Sequence, residues 1–306
     1  MAPTVTSIGI GNMGAALASV LLDSSVPLTI WNRTADRPHV KSLITRGAHF
    51  EPSFATAVSH SAFLLICLFD YSAIYSALKN LPEGDTKPLA GKTIINVTNG
   101  TPREARKMEA DLKALGAEAY FDGGIMVTPQ LVGTATSFVI LSGETEQAYQ
   151  ERIAELLKPI GALQYVSEDA GAASLYDVAA LAAMYGMFMG AFTGIALLKK
   201  QRQVAGKDEG KADATPAVNG VMVPMLTALV PYVSLLAERV DQEAWMDDLG
   251  NPLAMQDAGV RNILQACEEE GVDGRGLKFL FELMEKAVRD GFGQGGVAAI
   301  AQYLFK

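Results

Sequence analysis

Val5-Thr6-Ser7-Ile8-Gly9-Ile10-Gly11-Asn12-Met13-Gly14 decides how the front of this chain folds. A short β-branched run leads straight into G-x-G-x-x-G, and an apolar-periodic helix follows. In that setting each glycine has a separate task. Gly9 allows the tight turn out of the strand, Gly11 lets backbone approach a pyrophosphate, and Gly14 permits close helix–strand packing. Phosphates then rest on the unpaired N–H groups of the helix start, which adds Asn12 and Met13 to the expected cofactor contacts. The plainer alternative is a tight strand–helix turn with no ligand.

The end of the second strand indicates which dinucleotide is bound. Sites for NAD place an acidic residue there, against the ribose 2′-hydroxyl. Here Leu28-Thr29-Ile30-Trp31 ends in Asn32-Arg33-Thr34, and no carboxylate comes before Asp36. Arg33 can stack on or pair with a 2′-phosphate, Asn32 and Thr34 can hydrogen-bond it, and Arg37 follows one helical turn later. NADPH is therefore the expected cofactor, with Arg33 as a solvated surface charge the competing reading. Cys67, Leu68 and Phe69, at the end of a later strand, are expected along the path from adenosine to nicotinamide.

Outward from this motif, short apolar runs alternate with amphipathic stretches up to about residue 167. Phe63 to Leu68, Thr93 to Val97, Phe138 to Leu141 and Leu163 to Val166 read as strands. Pro102 to Leu115 and Glu146 to Leu157 read as helices between them. Strands alternating with helices imply βαβ units and a mostly parallel sheet. Thr101-Pro102-Arg103-Glu104 marks a helix start with capping residue, proline and glutamate in place. Asn99-Gly100 is thus the loop at a strand's carboxyl end, where open α/β sheets bind ligands. Past residue 168 no strand is expected. The predicted organisation is an α/β dinucleotide-binding domain over 1–167, a long interdomain helix over 168–200 and an all-α domain over 201–306. Gln201 to Thr215 reads as a polar loop. Pro216 to Val240, Leu253 to Glu270, Arg275 to Arg289 and Val297 to Phe305 read as helices.

The bulk properties narrow the function. The chain has 306 residues, 49% of them hydrophobic and 19% charged, which suits two cored domains and not a disordered protein. A net charge of -9 argues against a general nucleic-acid or acidic-membrane binder. Cys67 and Cys267 lie far apart in apolar segments and read as free thiols, in keeping with a reducing cytosol. The N-terminus carries no basic region and no signal-peptide core, again pointing to the cytosol. The three histidines, His39, His49 and His60, show no ligand spacing, so no metal site is expected. Val178 to Leu198 is uncharged and long enough to span a bilayer. Gly186, Gly190 and Gly194 at four-residue spacing favour instead a helix buried among other helices.

Three polar side chains stand in apolar settings: Asn99, then Asp177 at the opening of the long helix, then Tyr185 eight residues on. Ideal helix geometry separates the last two by roughly 80° around the axis and about 12 Å along it. Asn96-Val97-Thr98-Asn99-Gly100-Thr101-Pro102, Gly123-Gly124-Ile125-Met126, Asp177 with Tyr185, and Met255-Gln256-Asp257-Ala258-Gly259-Val260 together resemble the imine reductases, in particular their fungal reductive aminase branch. The resemblance extends over nearly the whole chain. It implies an NADPH-binding Rossmann domain, a long interdomain helix, and a helical domain that intertwines with a second subunit in a homodimer. It also implies substrate contacts from Met126, Met225, Met255 and Gln256, with Met225 standing where some fungal relatives carry tryptophan.

The implied reaction is NADPH-dependent reduction of an imine or iminium to an amine, including reductive amination of a ketone or aldehyde with a small amine. Asp177 would hold or relay a proton for nitrogen or, ionised, stabilise the cation. Tyr185 would hydrogen-bond the nitrogen, and Asn99 would hold the carbinolamine hydroxyl or position the amine. Each residue also has a bland reading: a charge near a helix start, a core aromatic, a turn residue. Two other functions compete. A β-hydroxyacid dehydrogenase shares the fold, but that family's lysine early on the long helix is missing, since no lysine lies between Lys158 and Lys199. A non-catalytic NADPH-binding module would bind the cofactor without turning over an imine.

Overall fold

A computed structural model describes residues 4–82, 87–200 and 213–305; the expected loop over 201–215 lies outside them up to position 212. The chain divides into two compact units, 1–182 and 183–306. The first contains one eight-stranded sheet: β1 Val5–Ile8, β2 Leu28–Trp31, β3 His49–Phe50, β4 Phe63–Ile66, β5 Thr93–Asn96, β6 Ala119–Ile125, β7 Phe138–Ser142 and β8 Ala162–Ser167. Its order is β3-β2-β1-β4-β5-β6-β7-β8, and every pair is parallel except β6 with β7. The helices are α1 Asn12–Asp23, α2 Pro38–Thr45, α3 Phe54–Ser59, α4 Tyr71–Leu78, α5 Pro102–Ala114, and the short α6 Glu146–Tyr149 and α7 Glu155–Leu157 joined by a π-turn at Gln150–Ala154.

The unbroken apolar runs are explained by a sheet covered on both faces. Leu64 and Ile66 pack into one core with Ile8, Trp31, Ile94 and Met108, while Leu65 between them packs into the other with Leu17, Ile30 and Ile95. That is the two-residue alternation of a strand expressed between two cores. Two strands escaped the periodicity. β3 has only two residues, and β6 carries a buried aspartate and two glycines inside its apolar run. The chain fills β1, β2 and β3 on one side, then crosses back to lay β4 against β1. Ligands bind at this kind of reversal, beyond the carboxyl ends of the strands.

The long helix, α8, spans Gly171–Leu198. It starts before the uncharged run, so Asp177 stands in its second turn and not at its opening. Its first N–H groups have dedicated acceptors. Asp169 Oδ1 accepts from Gly171 N, and Ser142 Oγ accepts from Ala173 N. Arg106 grips Asp169 with two parallel bonds of 2.8 and 2.7 Å, fixing that cap against α5.

The second unit is helical. After Leu198 come α9 Thr215–Ala217, a π-turn at Val218–Met222, α10 Val223–Leu229, α11 Tyr232–Asp241, α12 Leu253–Glu269 and α13 Arg275–Ala287. The helix expected over Pro216 to Val240 is broken before α11, where Pro231 lacks the N–H that would continue it. Leu253, Met284, Ala287 and Ala299 form a small core with Trp245 and Phe292 around them. The expected burial of the long helix is not met within one chain. Tyr185, Met187, Phe188, Met189 and Phe192 are all exposed, and so are Val221, Val223 and Met225. Gly171–Leu198 and Thr215–Asp241 are each long and apolar enough to cross a membrane by length and composition alone.

Candidate active site

The glycine loop is built by close approach. Gly9 has φ +96°, and a side chain there would meet the Cys67 carbonyl oxygen at 2.3 Å. A Cβ on Gly14 would lie 1.9 Å from the Gly9 carbonyl oxygen, so α1 can sit on the turn only as glycine. Gly11, the residue before α1, faces open space, and no side chain caps that helix. Its first N–H groups are thereby left to a ligand. Asn32 serves the loop itself: its Oδ1 accepts from Ile10 N at 3.0 Å and its Nδ2 donates to the Thr34 carbonyl at 2.7 Å. His39 Nε2 lies 3.1 Å from Asn12 Oδ1, a contact that spacing did not reveal.

A cavity of about 880 Å³ opens on this loop. Gly9, Gly11, Asn12, Met13, Gly14, Asn32, Arg33, Thr34, Arg37, Cys67 and Leu68 all line it, together with Phe69, Pro52, Ser53 and Phe54 from other elements. Two guanidinium groups and no carboxylate stand among the described lining residues. Asp36, the nearest acid to the end of β2, is paired with Lys41 at 3.0 Å instead. The open Gly11 face, the uncapped helix and the two arginines fit a dinucleotide bearing a 2′-phosphate. Burial pushes the Cys67 thiol up to about 11, so it lines the cavity as an inert neutral group.

At the carboxyl edge of the same sheet, the loop after β5 is pinned by two contacts. Thr101 and Glu104 form a reciprocal capping box at the start of α5. Gly100 packs so tightly on the Tyr71 ring that a Cβ would come within 2.3 Å of it. Asn99, held between these constraints, donates from Nδ2 to Asp177 Oδ2 at 2.7 Å. Gly124 makes room for the carboxyl group: a Cβ there would lie 3.3 Å from both Cβ and Cγ of Asp177. Met126 follows on the same strand end, half-buried, its N–H bonded to the Phe138 carbonyl at 3.0 Å.

Beneath this pair lies a network that sequence reasoning missed. Asp122 is fully buried on β6. Its Oδ2 accepts from Tyr71 Oη at 2.6 Å, Tyr120 Oη at 2.7 Å and Asn96 Nδ2 at 3.2 Å, and its Oδ1 accepts from Ser174 Oγ at 2.6 Å. Desolvation raises its pKa to about 6 against the pull of those four donors. The Tyr71 and Tyr120 hydroxyls are pushed up as well, first by burial and then by the neighbouring Asp122 charge. Ser174 stands one turn before Asp177, and Asn96 Oδ1 accepts from Thr98 N at 3.1 Å in the loop that leads to Asn99. One carboxylate thus anchors the elements that carry both Asn99 and Asp177. The available signal was a single acid inside the run Ala119-Tyr120-Phe121-Asp122-Gly123-Gly124-Ile125.

The remaining residues belong to the second unit. Tyr185 lies on α8 and is 62% exposed, its ring edge-on to Phe188 at 6.1 Å. Met225 on α10 and Met255 on α12 are exposed. Gln256 Nε2 donates to the Asn251 carbonyl at 2.7 Å.

Fold and site together define a nicotinamide-dependent oxidoreductase. Residues 169–306 match the family described as NADPH-dependent reductive aminase-like, C-terminal domain, and residues 4–171 match the NAD binding domain of 6-phosphogluconate dehydrogenase. The chain is 33% identical over 303 residues to an NADPH-dependent reductive aminase of Aspergillus oryzae, covering 99% of this chain and 97% of the relative. It is 34% identical to the reductive aminase of Aspergillus terreus solved with NADPH4, cyclohexanone and allyl amine, with both chains covered in full and a TM-score of 0.88. An imine reductase of Myxococcus stipitatus solved with NADP+ is 28% identical over 99% of this chain and 100% of its own, with a TM-score of 0.85. The chain belongs to the reductive aminase family.

Proposed function

We propose that this enzyme reduces imines and iminium ions with NADPH, and that it also forms them, joining a ketone or aldehyde to a small amine. The hydrogen bond between Asn99 and Asp177, at the sheet edge that carries the cofactor cavity, is the observation that supports this reading best. A hydroxyacid dehydrogenase needs a cation near this position to handle an alcohol proton. Here a carboxyl group and an amide stand together.

The glycine loop and the start of α1 would hold the pyrophosphate, and Arg33 and Arg37 would hold the 2′-phosphate. Bound there, NADPH supplies hydride to the imine carbon. The protein supplies acceptors and order. Asp177 keeps a carboxyl oxygen beyond the one that receives Asn99, and that oxygen can accept from a substrate N–H. The carboxyl group would pass a proton to nitrogen or, ionised, favour a cationic nitrogen, which makes the adjacent carbon a better hydride acceptor. Asn99 uses one amide N–H on Asp177 and retains a second N–H and its Oδ1 for a carbinolamine hydroxyl. Tyr185 would donate its hydroxyl to the nitrogen or its proton network, and Met126, Met225, Met255 and Gln256 would shape the substrate space.

A second subunit completes this picture. Aromatic and methionine side chains along α8 stand exposed, as do those of 215–241, and Gly186 and Gly190 meet nothing within 4 Å. Apolar patches of that extent on a soluble chain mark an interface. A homodimer in the cytosol, burying both helices, fits this surface.

The test is NADPH consumption with cyclohexanone plus a small primary amine, with each component alone, and with a preformed cyclic imine. Oxidation that requires ketone and amine together supports the full proposal. Turnover of the cyclic imine alone would confine the enzyme to reduction. No turnover under any condition would sink the reading.

A further inference from the structure

We infer that His49, Glu51 and His60 form a binding site for a divalent transition cation of the zinc class, on the outer edge of the first unit. Their positions in the chain show no ligand spacing, and no metal was expected from them. The fold supplies what spacing lacks. His49 lies on edge strand β3, Glu51 directly follows it, and His60 caps the end of α3, which packs against the neighbouring strand β2. One ligand atom from each of the three lies within 4.8 Å of the others.

The donor atoms are close, and both imidazoles are exposed and free to turn. The rings stack with centroids 5.2 Å apart and planes 20° from parallel, so binding a cation in both ring planes requires one ring to rotate out of the stack. His60 Nδ1 sits 3.4 Å from Thr29 Oγ1, which leaves Nε2 to coordinate. Glu51 is anchored twice: its N–H donates to the Ile30 carbonyl at 3.1 Å, and its Oε1 accepts from Ser53 N at 2.8 Å. Its second carboxyl oxygen remains for a metal. Partners that orient ligating groups in this way are a regular part of metal sites.

Two imidazoles and one carboxylate select Zn²⁺ and its neighbours over Mg²⁺ and Ca²⁺, which prefer oxygen. Three protein ligands leave a fourth position to water. The cation would clip the start and end of the 49–60 segment together. Pro52, Ser53 and Phe54, inside that segment, line the cofactor cavity. The site is therefore a clasp on one wall of the dinucleotide pocket, separate from Asn99 and Asp177.

The experiment is isothermal titration of full-length, tag-free, chelator-treated protein with ZnCl2, and with MgCl2 in parallel. Cobalt(II) absorption in the visible serves as an independent reading of coordination. The expected result is one zinc per chain at micromolar affinity, no response to magnesium, and at least about tenfold weaker zinc binding in His49→Gln and in His60→Gln. Both variants alter exposed side chains and should melt with the parent when metal is absent. Absence of saturable zinc binding, equal binding in the variants, or equal binding of magnesium would overturn the inference.

Discussion

The tasks proposed for Asp177 and Arg33 are separable, and single substitutions should show it. Asp177→Ala removes the acceptor proposed for the substrate nitrogen and leaves the glycine loop untouched. Turnover should fall at least about 100-fold while NADPH affinity, read by fluorescence titration, stays within a few-fold. Arg33→Ala should raise the KM for NADPH about tenfold, the ~1.4 kcal/mol of one charge-assisted contact, and leave NADH nearly unaffected. Equal losses for both cofactors would take the 2′-phosphate away from Arg33. Asp122 makes a pH prediction. Its folded pKa of about 6 lies above the ordinary 3.8, so the folded chain binds this proton more tightly than the unfolded one. That contribution to stability is full below about 3.8 and is lost as pH rises through about 6. Relative to Asp122→Asn, the parent should thus lose melting temperature across pH 4 to 6; parallel curves would mean that Asp122 does not titrate there. Of these residues, Arg33 and Asp177 were legible because each contradicts its local pattern. Asp122 gave only a weak trace, since three of its four partners, Asn96, Tyr71 and Ser174, come from β5, α4 and α8 and meet it only in the fold.

At the scale of elements, legibility followed periodicity. β1, β2, β4, β5 and α5 carry clean repeats or caps and stand where the sequence implies. β6 does not, because Asp122, Gly123 and Gly124 interrupt the run for reasons that arise outside the strand. Gly123 lies 2.8 Å from the Ile140 carbonyl oxygen by its would-be Cβ, and Gly124 meets Asp177. The helix expected over 168–200 spans Gly171–Leu198, and its opening lies ahead of Asp177: its first residues are small, and the cap that begins it comes from Asp169 held by Arg106. Gly124→Ala tests the link between strand and site. The added methyl should push on the Asp177 carboxyl and cut kcat roughly 10- to 100-fold, with NADPH affinity unchanged. An unaltered kcat would show that Asp177 has slack. The bend at Pro231 and the π-turns at Gln150–Ala154 and Val218–Met222 had no counterpart in the hydrophobic pattern, which reports faces and not local changes of helical pitch.

For the whole molecule, the exposed helices predict assembly. Light scattering should give twice the 32.5 kDa of one chain. Phe192→Asp, which places a charge on that apolar face, should shift the population to monomer or aggregate and reduce imine turnover with it. A parent that elutes as a monodisperse monomer would leave those faces without an occupant. The amines of the chain are also distributed in a telling way. α8 passes through 28 residues without one primary amine, and the cavity thiol at Cys67 is held in its unreactive form. A carbonyl compound visiting the Asp177 helix meets no lysine with which to form a Schiff base of its own. Along α8 the protein thus offers a carbonyl compound no amine of its own. A ketone with borohydride should leave the mass of a peptide confined to α8 unchanged.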